Sequence, residues 1–405
     1  MTDTIIIGAG AAGCIAAITA ARLGKSVVMF EKNEKIGRKL RITGKGRCNL
    51  TNNCSVDQLL NNIRVNPRFL YSSFAAFNSQ DTMQFFEDLG VPLKTERGNR
   101  VFPVSDKAED IVEALRSELK ALGVKIIRRR VTEIICDDGV CTGVKADGEE
   151  YYSQSVLIAC GGASYPVTGS NGDGYRLASA VGHTIIQPKA SLVPMESPDR
   201  FCTEMMGLSL RNVTLRLYDR DKLIYAELGE MLFTHFGVSG PMVLSASSHI
   251  RDMQPDRYRL TIDLKPGLSA EQLDARIQRD FAEFCNFNLS NVLKKLLPAK
   301  MIPTIIGLSG IAPEQKAHSI TKEQRKALGA LIKALPIRIT RFRPIDEAIV
   351  TSGGVAVKEI NPKTMESKLV QGLYFAGEVI DVDAYTGGFN LQIAFSTGYS
   401  AGMCL

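Results

Sequence analysis

The hydrophobic pattern is clearest at the start of the chain. Ile5-Ile6-Ile7 is a short run of β-branched residues and predicts a buried parallel strand. A helix is predicted from about residue 11 to 23, with Gly24 placed to close it. A second strand is predicted over 26–30, ending on Glu31. Further on, amphipathic helices are predicted over 81–90 and 107–122, the latter with Ile111, Leu115, Leu119 and Leu122 on one face. Residues 124–136 and 140–145 read as strands joined by a hairpin turn at Asp137-Asp138-Gly139. A buried strand over 156–159 runs into Cys160-Gly161-Gly162. Alternation over 213–217 and 258–262 predicts strands, while Leu273, Ile277, Phe281 and Phe284 fall at helical spacing, which core packing explains. Near the end, a strand from 372 leads into Gly377-Glu378, and Gly387-Gly388 opens a last helix of small residues.

Composition narrows the class. The 405 residues are 45% hydrophobic and 23% charged, as in an ordinary globular protein. At roughly 100–200 residues per domain, two or three domains are expected. Residues 4–21 are apolar enough to imitate a signal peptide or a membrane span. They lack a basic leader, however, and their glycines fit a nucleotide-binding βα unit better. The net charge is only +6 and the densest basic run is Arg128-Arg129-Arg130, which argues against a nucleic-acid footprint. Nine cysteines, an odd number with no CxxC, fit neither a disulfide framework nor a metal site and point to a reducing cytoplasm.

The chemistry starts at Gly8-x-Gly10-x-x-Gly13, which follows the first strand at once. Gly8 makes the tight turn, Gly10 lets the backbone approach a pyrophosphate, and Gly13 lets helix and strand pack closely. Ala11 and Ala12 supply N–H groups at the positive end of the helix dipole. Glu31, at the end of the second strand, stands where an acid accepts hydrogen bonds from ribose hydroxyls. Lys32, Arg38 and Lys39 come next, with Gly37 before the basic pair. Flavoproteins of the glutathione-reductase type continue in this way, folding the segment back over the ribityl and pyrophosphate groups, so the pattern points to non-covalent FAD rather than NAD. Gly46, Arg47, Cys48 and Asn49 form a loop of glycine and polar donors suited to the same cofactor. The C-terminal strand, the acids Glu378 and Asp381 after Gly377, and the helix opened by Gly388, Asn390, Leu391 and Gln392 make a second flavin contact. Its dipole would favour the negative charge that a reduced flavin carries at N1/O2.

Nearly the whole chain resembles the bacterial flavoproteins called BaiN/YhiN-like, 3-dehydro-bile-acid Δ4,6-reductase-like or aminoacetone-oxidase-like. The matching blocks are GAGAAG at 8–13, EKNEKIGRKL at 31–40, GRCNLTN at 46–52 and CGGASYPVTGSNGDGY at 160–175. They continue with LFTHFGVSGP at 232–241, VTSGGV at 350–355, NPKTMESK at 361–368 and GLYFAGEVIDVDAYTGGFNLQIA at 372–394. The resemblance implies an α/β fold: a discontinuous FAD-binding Rossmann-type domain of 1–190 and 340–405. The insert, 191–339, would be β-rich over 191–265 and 320–339 and helical over 266–319. Val131, Gly161 and Gly162 are expected to join the cofactor contacts.

The resemblance also implies an oxidoreductase acting on a small organic molecule through flavin N5. The favoured reaction is NAD(P)H-dependent reduction of a carbon–carbon double bond conjugated to a carbonyl, as in a bile acid or steroid. No second GxGxxG exists for the nicotinamide, which would bind transiently. The alternatives are an oxygen-dependent amine oxidase and an RNA-modifying flavoprotein. His235, one of four histidines, is the candidate proton donor, with burial in a core as the plainer reading; Tyr165 and Tyr385 are phenolic candidates or pocket walls. Cys48 and Cys54, separated by five residues, are expected to be free thiols rather than a redox pair. No metal site and no membrane span are expected, and the sequence leaves the oligomeric state open.

Overall fold

The computed structural model describes residues 2–250 and 252–405. The chain divides into two units. One runs from the N-terminus to Ser191 and resumes over Pro344–Leu405; the other is Leu192–Arg343.

In the first unit, strand Thr2–Ile7 lies between Val27–Phe30 and Glu149–Ile158, all parallel. Lys125–Ile127 pairs beyond Val27–Phe30, and Leu373–Phe375 beyond Glu149–Ile158. Ile5 and Ile6 are wholly buried, as a strand covered on both faces requires. The register matters most. Ile7 is level with Phe30 and Ile158, and Ile158 with Phe375. The loops beginning at Gly8, Glu31, Ala159 and Ala376 therefore leave the sheet side by side. They do so at its C-terminal edge, where open α/β sheets bind ligands.

Helix Ala11–Arg22 is small-residued because it is covered by more than the sheet. The C-terminal helix Phe389–Gly402 crosses it so closely that a Cβ on Gly398 would stand 2.4 Å from the Ala12 carbonyl oxygen. Bulk at either surface would force the two backbones apart.

The structure corrects three predicted elements in this unit. The stretch over 124–136 is not one strand but two, Lys125–Ile127 in the parallel sheet and Val131–Asp137 in an antiparallel hairpin. The arginine run lies in the break, where Arg129 and Arg130 turn to Glu149 and Asp173. The strand expected over 156–159 runs over Glu149–Ile158, its polar first half paired with Val140–Ala146. The helix expected over 81–90 is Ser79–Asp88, because the Asn78 side chain accepts from the Gln80 and Asp81 N–H groups and sets the start.

The second unit is an antiparallel sheet with helices and has its own core. Ser209–Asp219 pairs with Lys222–Phe233 on one side and Tyr258–Asp263 on the other, and Leu215, Leu217, Leu260 and Ile262 are wholly buried. In helix Ala270–Glu283, Leu273, Ile277 and Phe281 are buried, so that stripe is core packing. Residues 320–339 are not mainly strand. Thr321 and Gln324 form a capping box that starts helix Lys322–Lys333, with Leu328 and Ile332 buried one turn apart, and only Leu335–Arg338 is strand. Among the described residues no helix is long and apolar enough to cross a membrane.

Candidate flavin site and its surroundings

At Gly8 the backbone has φ +105°, a region an L side chain rarely enters, and a Cβ would lie 2.6 Å from the Ala159 carbonyl oxygen. A Cβ on Gly13 would stand 2.0 Å from the Gly8 carbonyl oxygen, so this glycine sets helix–strand packing. Gly10 differs from both. Its φ is −87°, and a Cβ there would meet nothing within 4 Å. Neither packing nor backbone strain requires a glycine at this position, and the open space leaves room for a ligand against the backbone. Gly10 is also the N-cap of helix Ala11–Arg22, whose start has no side-chain cap and no acid in the first turn. The Ala11, Ala12 and Gly13 N–H groups lack intrahelical acceptors and present a positive dipole end. These features fit the pyrophosphate of a dinucleotide.

Glu31 follows Phe30 and curls back over this turn. Its Oε2 accepts from the Ala9 N–H at 2.9 Å, and its Oε1 from the Asn33 N–H at 2.8 Å and Asn33 Nδ2 at 2.7 Å. Oε2, which accepts a single hydrogen bond, keeps acceptor capacity for a ribose hydroxyl. A Glu31→Ala substitution is therefore expected to weaken FAD binding by about 1.5–3 kcal/mol. Equilibrium titration of apoprotein with FAD checks this, and an unchanged dissociation constant would place the ribose elsewhere.

The remaining candidates fall into three groups. Lys32 ion-pairs with Asp173 at 2.7 Å, and Arg130, which directly precedes the buried Val131, holds the same carboxylate. Burial works to raise the Asp173 carboxyl, but hydrogen bonds from Arg130 and Lys32 hold it below the usual carboxylate range. Lys39 Nζ donates to Glu378 Oε2 and Ser164 Oγ, both at 2.6 Å. Glu378 Oε1 accepts from the Thr351 N–H at 2.8 Å, and the Thr351 hydroxyl accepts from the Ala163 N–H at 2.8 Å. Gly162 lies against this hub, since a Cβ on it would stand 2.6 Å from Thr351 Oγ1. A Cβ on Gly161 would stand 2.8 Å from Ser170 Oγ. Glu378 thus ties together the loops after three parallel strands. Ser164, Thr351 and Asp173 were missed as site residues, though all lie in the blocks that mark the family.

At the C-terminal segment, Gly388 is the N-cap of helix Phe389–Gly402, again with no side-chain cap and no first-turn acid. The Phe389, Asn390 and Leu391 N–H groups are the free donors there. The Asn390 side chain is spent on the turn, bonding the Ala384 N–H and the Ala384 and Tyr385 carbonyls. Asn49, with its amide turned to donate to the Val101 and Thr51 carbonyls, accepts from the Gly388 N–H at 3.0 Å. Asp381 accepts from Asn66 Nδ2 at 3.0 Å, and burial pushes its carboxyl up.

Two expected cofactor contacts have their side chains committed to protein partners. Gln392 is wholly buried, with its amide bonded to Thr51, Phe77 and Ser396 and its backbone N–H to Gly388. Its side chain braces the helix. Arg47, beside Gly46, points its guanidinium at Glu96 and Asp106 over the Phe102 ring, 4.1 Å from its centroid. Competing acids, placed far along the sequence, claimed it. Arg38 donates to Asn33 Oδ1 at 3.0 Å, orienting a Glu31 partner. All nine cysteines are free thiols. Cys48 is buried, and burial pushes its thiol up to about 12, against formation of a thiolate.

Of the proton-donor candidates, Tyr165 is half-buried with φ +53°, and burial raises its phenol. The Tyr385 ring lies under the Arg64 guanidinium, 5.3 Å from its centroid. His235, in the second unit, is exposed at a turn, which excludes the buried-core reading.

The HI0933-like protein Rossmann domain model matches residues 2–404. The chain belongs to this family. It is 32% identical over 98% of its length to the 3-dehydro-bile acid Δ(4,6)-reductase of Clostridium scindens, covering 97% of that protein. It is 35% identical over its full length to the ribosomal RNA dihydrouridine synthase of Haemophilus influenzae, covering 98% of that one. Its fold is that of the solved 3-ketosteroid-Δ4-(5α)-dehydrogenase from Rhodococcus jostii RHA1, with TM-score 0.55, 15% identity, and coverage of 100% of this chain and 96% of that one. This HI0933-like protein is an FAD-dependent oxidoreductase.

Proposed function

We propose that the protein reduces a carbon–carbon double bond conjugated to a carbonyl, with NAD(P)H as the reductant. The observation that supports this most is the pair of full-length relatives with unlike substrates and like chemistry. A Δ4 bond beside a 3-oxo group and the C5=C6 bond of uracil are both alkenes conjugated to a carbonyl. Bound FAD supplies the hydride at N5. The chain's own residues bind and polarise. The Ala11 to Gly13 amides take the pyrophosphate, Glu31 the ribose, and the Phe389 to Leu391 amides the edge where negative charge gathers on reduction. Tyr165, its phenol raised by burial, keeps its proton at neutral pH and can donate it.

For the substrate, we take a small steroid-acid-like enone as the first reading. A specific observation favours a second, uracil in ribosomal RNA. Residues 192–343 hold 22 Lys and Arg against 16 Asp and Glu, so the whole net charge of +6 falls in the second unit. A cationic second unit suits a phosphate backbone.

Purified protein, denatured, is expected to release FAD and not FMN. Mixed anaerobically with NADH or NADPH, its flavin absorbance should bleach quickly and return slowly with oxygen. It should return fast with a 3-oxo-4-ene steroid acid or with an unmodified ribosomal RNA transcript. Return with the transcript alone selects the second reading. Bleaching by an amine, with fast return in oxygen, would replace both with an amine oxidase.

A further inference from the structure

Arg64 has a buried donor with no acceptor. It stands on strand Ile63–Val65, which pairs antiparallel with Asp383–Ala384. Its side chain is half-buried, and its Nε is shut off from solvent with no hydrogen-bond partner among the described residues. The neighbouring acids are engaged elsewhere. Asp383, opposite Val65, accepts from Ser191 Oγ at 2.7 Å and Ser352 Oγ at 3.2 Å, and Asp381 accepts from Asn66. Folding thus holds a partly desolvated guanidinium here with no hydrogen-bonded counter-charge, the Asp383 carboxylate acting on it only through space. Buried polar groups are nearly always satisfied, and an exception calls for an explanation.

The position says which oxygen is missing. The guanidinium is backed by the Tyr385 ring, and Asn390 pins the Ala384 and Tyr385 carbonyls, so the pair is held before any ligand arrives. The edge of the flavin that gains charge has its own donors at the start of helix Phe389–Gly402. Arg64 lies on the strand paired to the residues before that helix, beside the residue read as a pocket wall.

We propose that Arg64 binds the carbonyl oxygen of the substrate, the one conjugated to the double bond being reduced. This rests on the reading given under Proposed function. Hydride delivered from the reduced flavin adds to the β-carbon, and the alkene electron pair moves to leave an enolate oxygen. A proton then reaches the α-carbon and the carbonyl re-forms; NAD(P)H supplies the two electrons. The guanidinium gains most as the oxygen becomes anionic, so it favours the transition state over the ground state. The same oxygen chemistry occurs in a steroid enone and in uracil O4.

The test uses the flavin-loaded protein and Arg64→Met, with 4-nitrophenolate as a non-reacting enolate mimic and sulfite as a probe of the flavin's own charge. Flavin content, melting temperature and sulfite affinity should match the wild type. Binding of 4-nitrophenolate should weaken by about tenfold or more, and kcat/KM for whichever carbonyl substrate turns over should fall by about 10²–10³-fold. Arg64→Lys should recover part of both, and it carries the test if the methionine variant does not fold. Unchanged 4-nitrophenolate binding, or no binding by the wild type, overturns the proposal. Loss of flavin or of sulfite affinity overturns it too, by placing Arg64 on the cofactor. A wild type that reduces no enone and no uracil, yet loses 4-nitrophenolate binding with Arg64→Met, leaves the anchor standing and removes the reductase reading.

Discussion

Gly10→Ala apoprotein is expected to melt where wild-type apoprotein does and to bind FAD more weakly. The backbone at Gly10 has φ −87°, which alanine adopts freely, and the added methyl meets no protein atom within 4 Å. The apoprotein therefore has no reason to change. The methyl projects into the space a pyrophosphate needs, against the uncapped start of helix Ala11–Arg22. Overpacking a close contact costs about 1–3 kcal/mol. That is roughly a 5- to 150-fold rise in the FAD dissociation constant. Gly13→Ala is the contrast. Its methyl would lie 2.0 Å from the Gly8 carbonyl oxygen, so it should lower the melting temperature even without cofactor. Apoprotein melting and FAD titration on the two variants separate a ligand-facing glycine from a packing one. Wild-type affinity in Gly10→Ala would mean that no pyrophosphate lies there.

What was legible in the sequence was local. The strand–glycine–helix unit could be read because every part lies within the residues from Thr2 to Glu31 and each obeys a backbone rule. The Gly377-Glu378 segment and the helix opened by Gly388 were legible for the same reason. What was not legible was the outcome of competition between distant groups. Arg47 reads as a polar donor to the cofactor in the sequence, but Glu96 and Asp106, on another part of the chain, hold its guanidinium. Gln392 looked like a helix-start donor, yet Thr51 and Phe77 bury it. In the sequence Arg64 is an ordinary strand arginine; only the engagement of Asp381 and Asp383 with other partners makes it notable. The helix Lys322–Lys333 was missed for a different reason. Its Thr321 and Gln324 cap and its Leu328 and Ile332 spacing are present in the sequence, while the family resemblance implies strand over the whole stretch.

His235→Ala is the other substitution expected to have a large effect, and the structure sharpens it. His235 stands in the turn between strands Lys222–Phe233 and Gly237–Ser239, which Thr234 closes by bonding Gly237 with both its N–H and its hydroxyl. Its ring meets Phe236 edge-on at 5.0 Å, its carbonyl accepts from Thr203 Oγ1, and its side chain is exposed. Truncating an exposed side chain that fills no core changes stability within about 0.5 kcal/mol. The melting temperature should therefore stay where it is, and any fall in rate reports chemistry. If His235 gives the proton that completes reduction, flavin content and bleaching by NAD(P)H should be unaffected. The second half-reaction, in which substrate reoxidises the flavin, should slow by about 10²–10⁴-fold. Both half-reactions can be followed by stopped-flow absorbance on one preparation. An unchanged second half-reaction would remove His235 from the chemistry and leave Tyr165, whose phenol burial already holds in its protonated form, as the donor to test next.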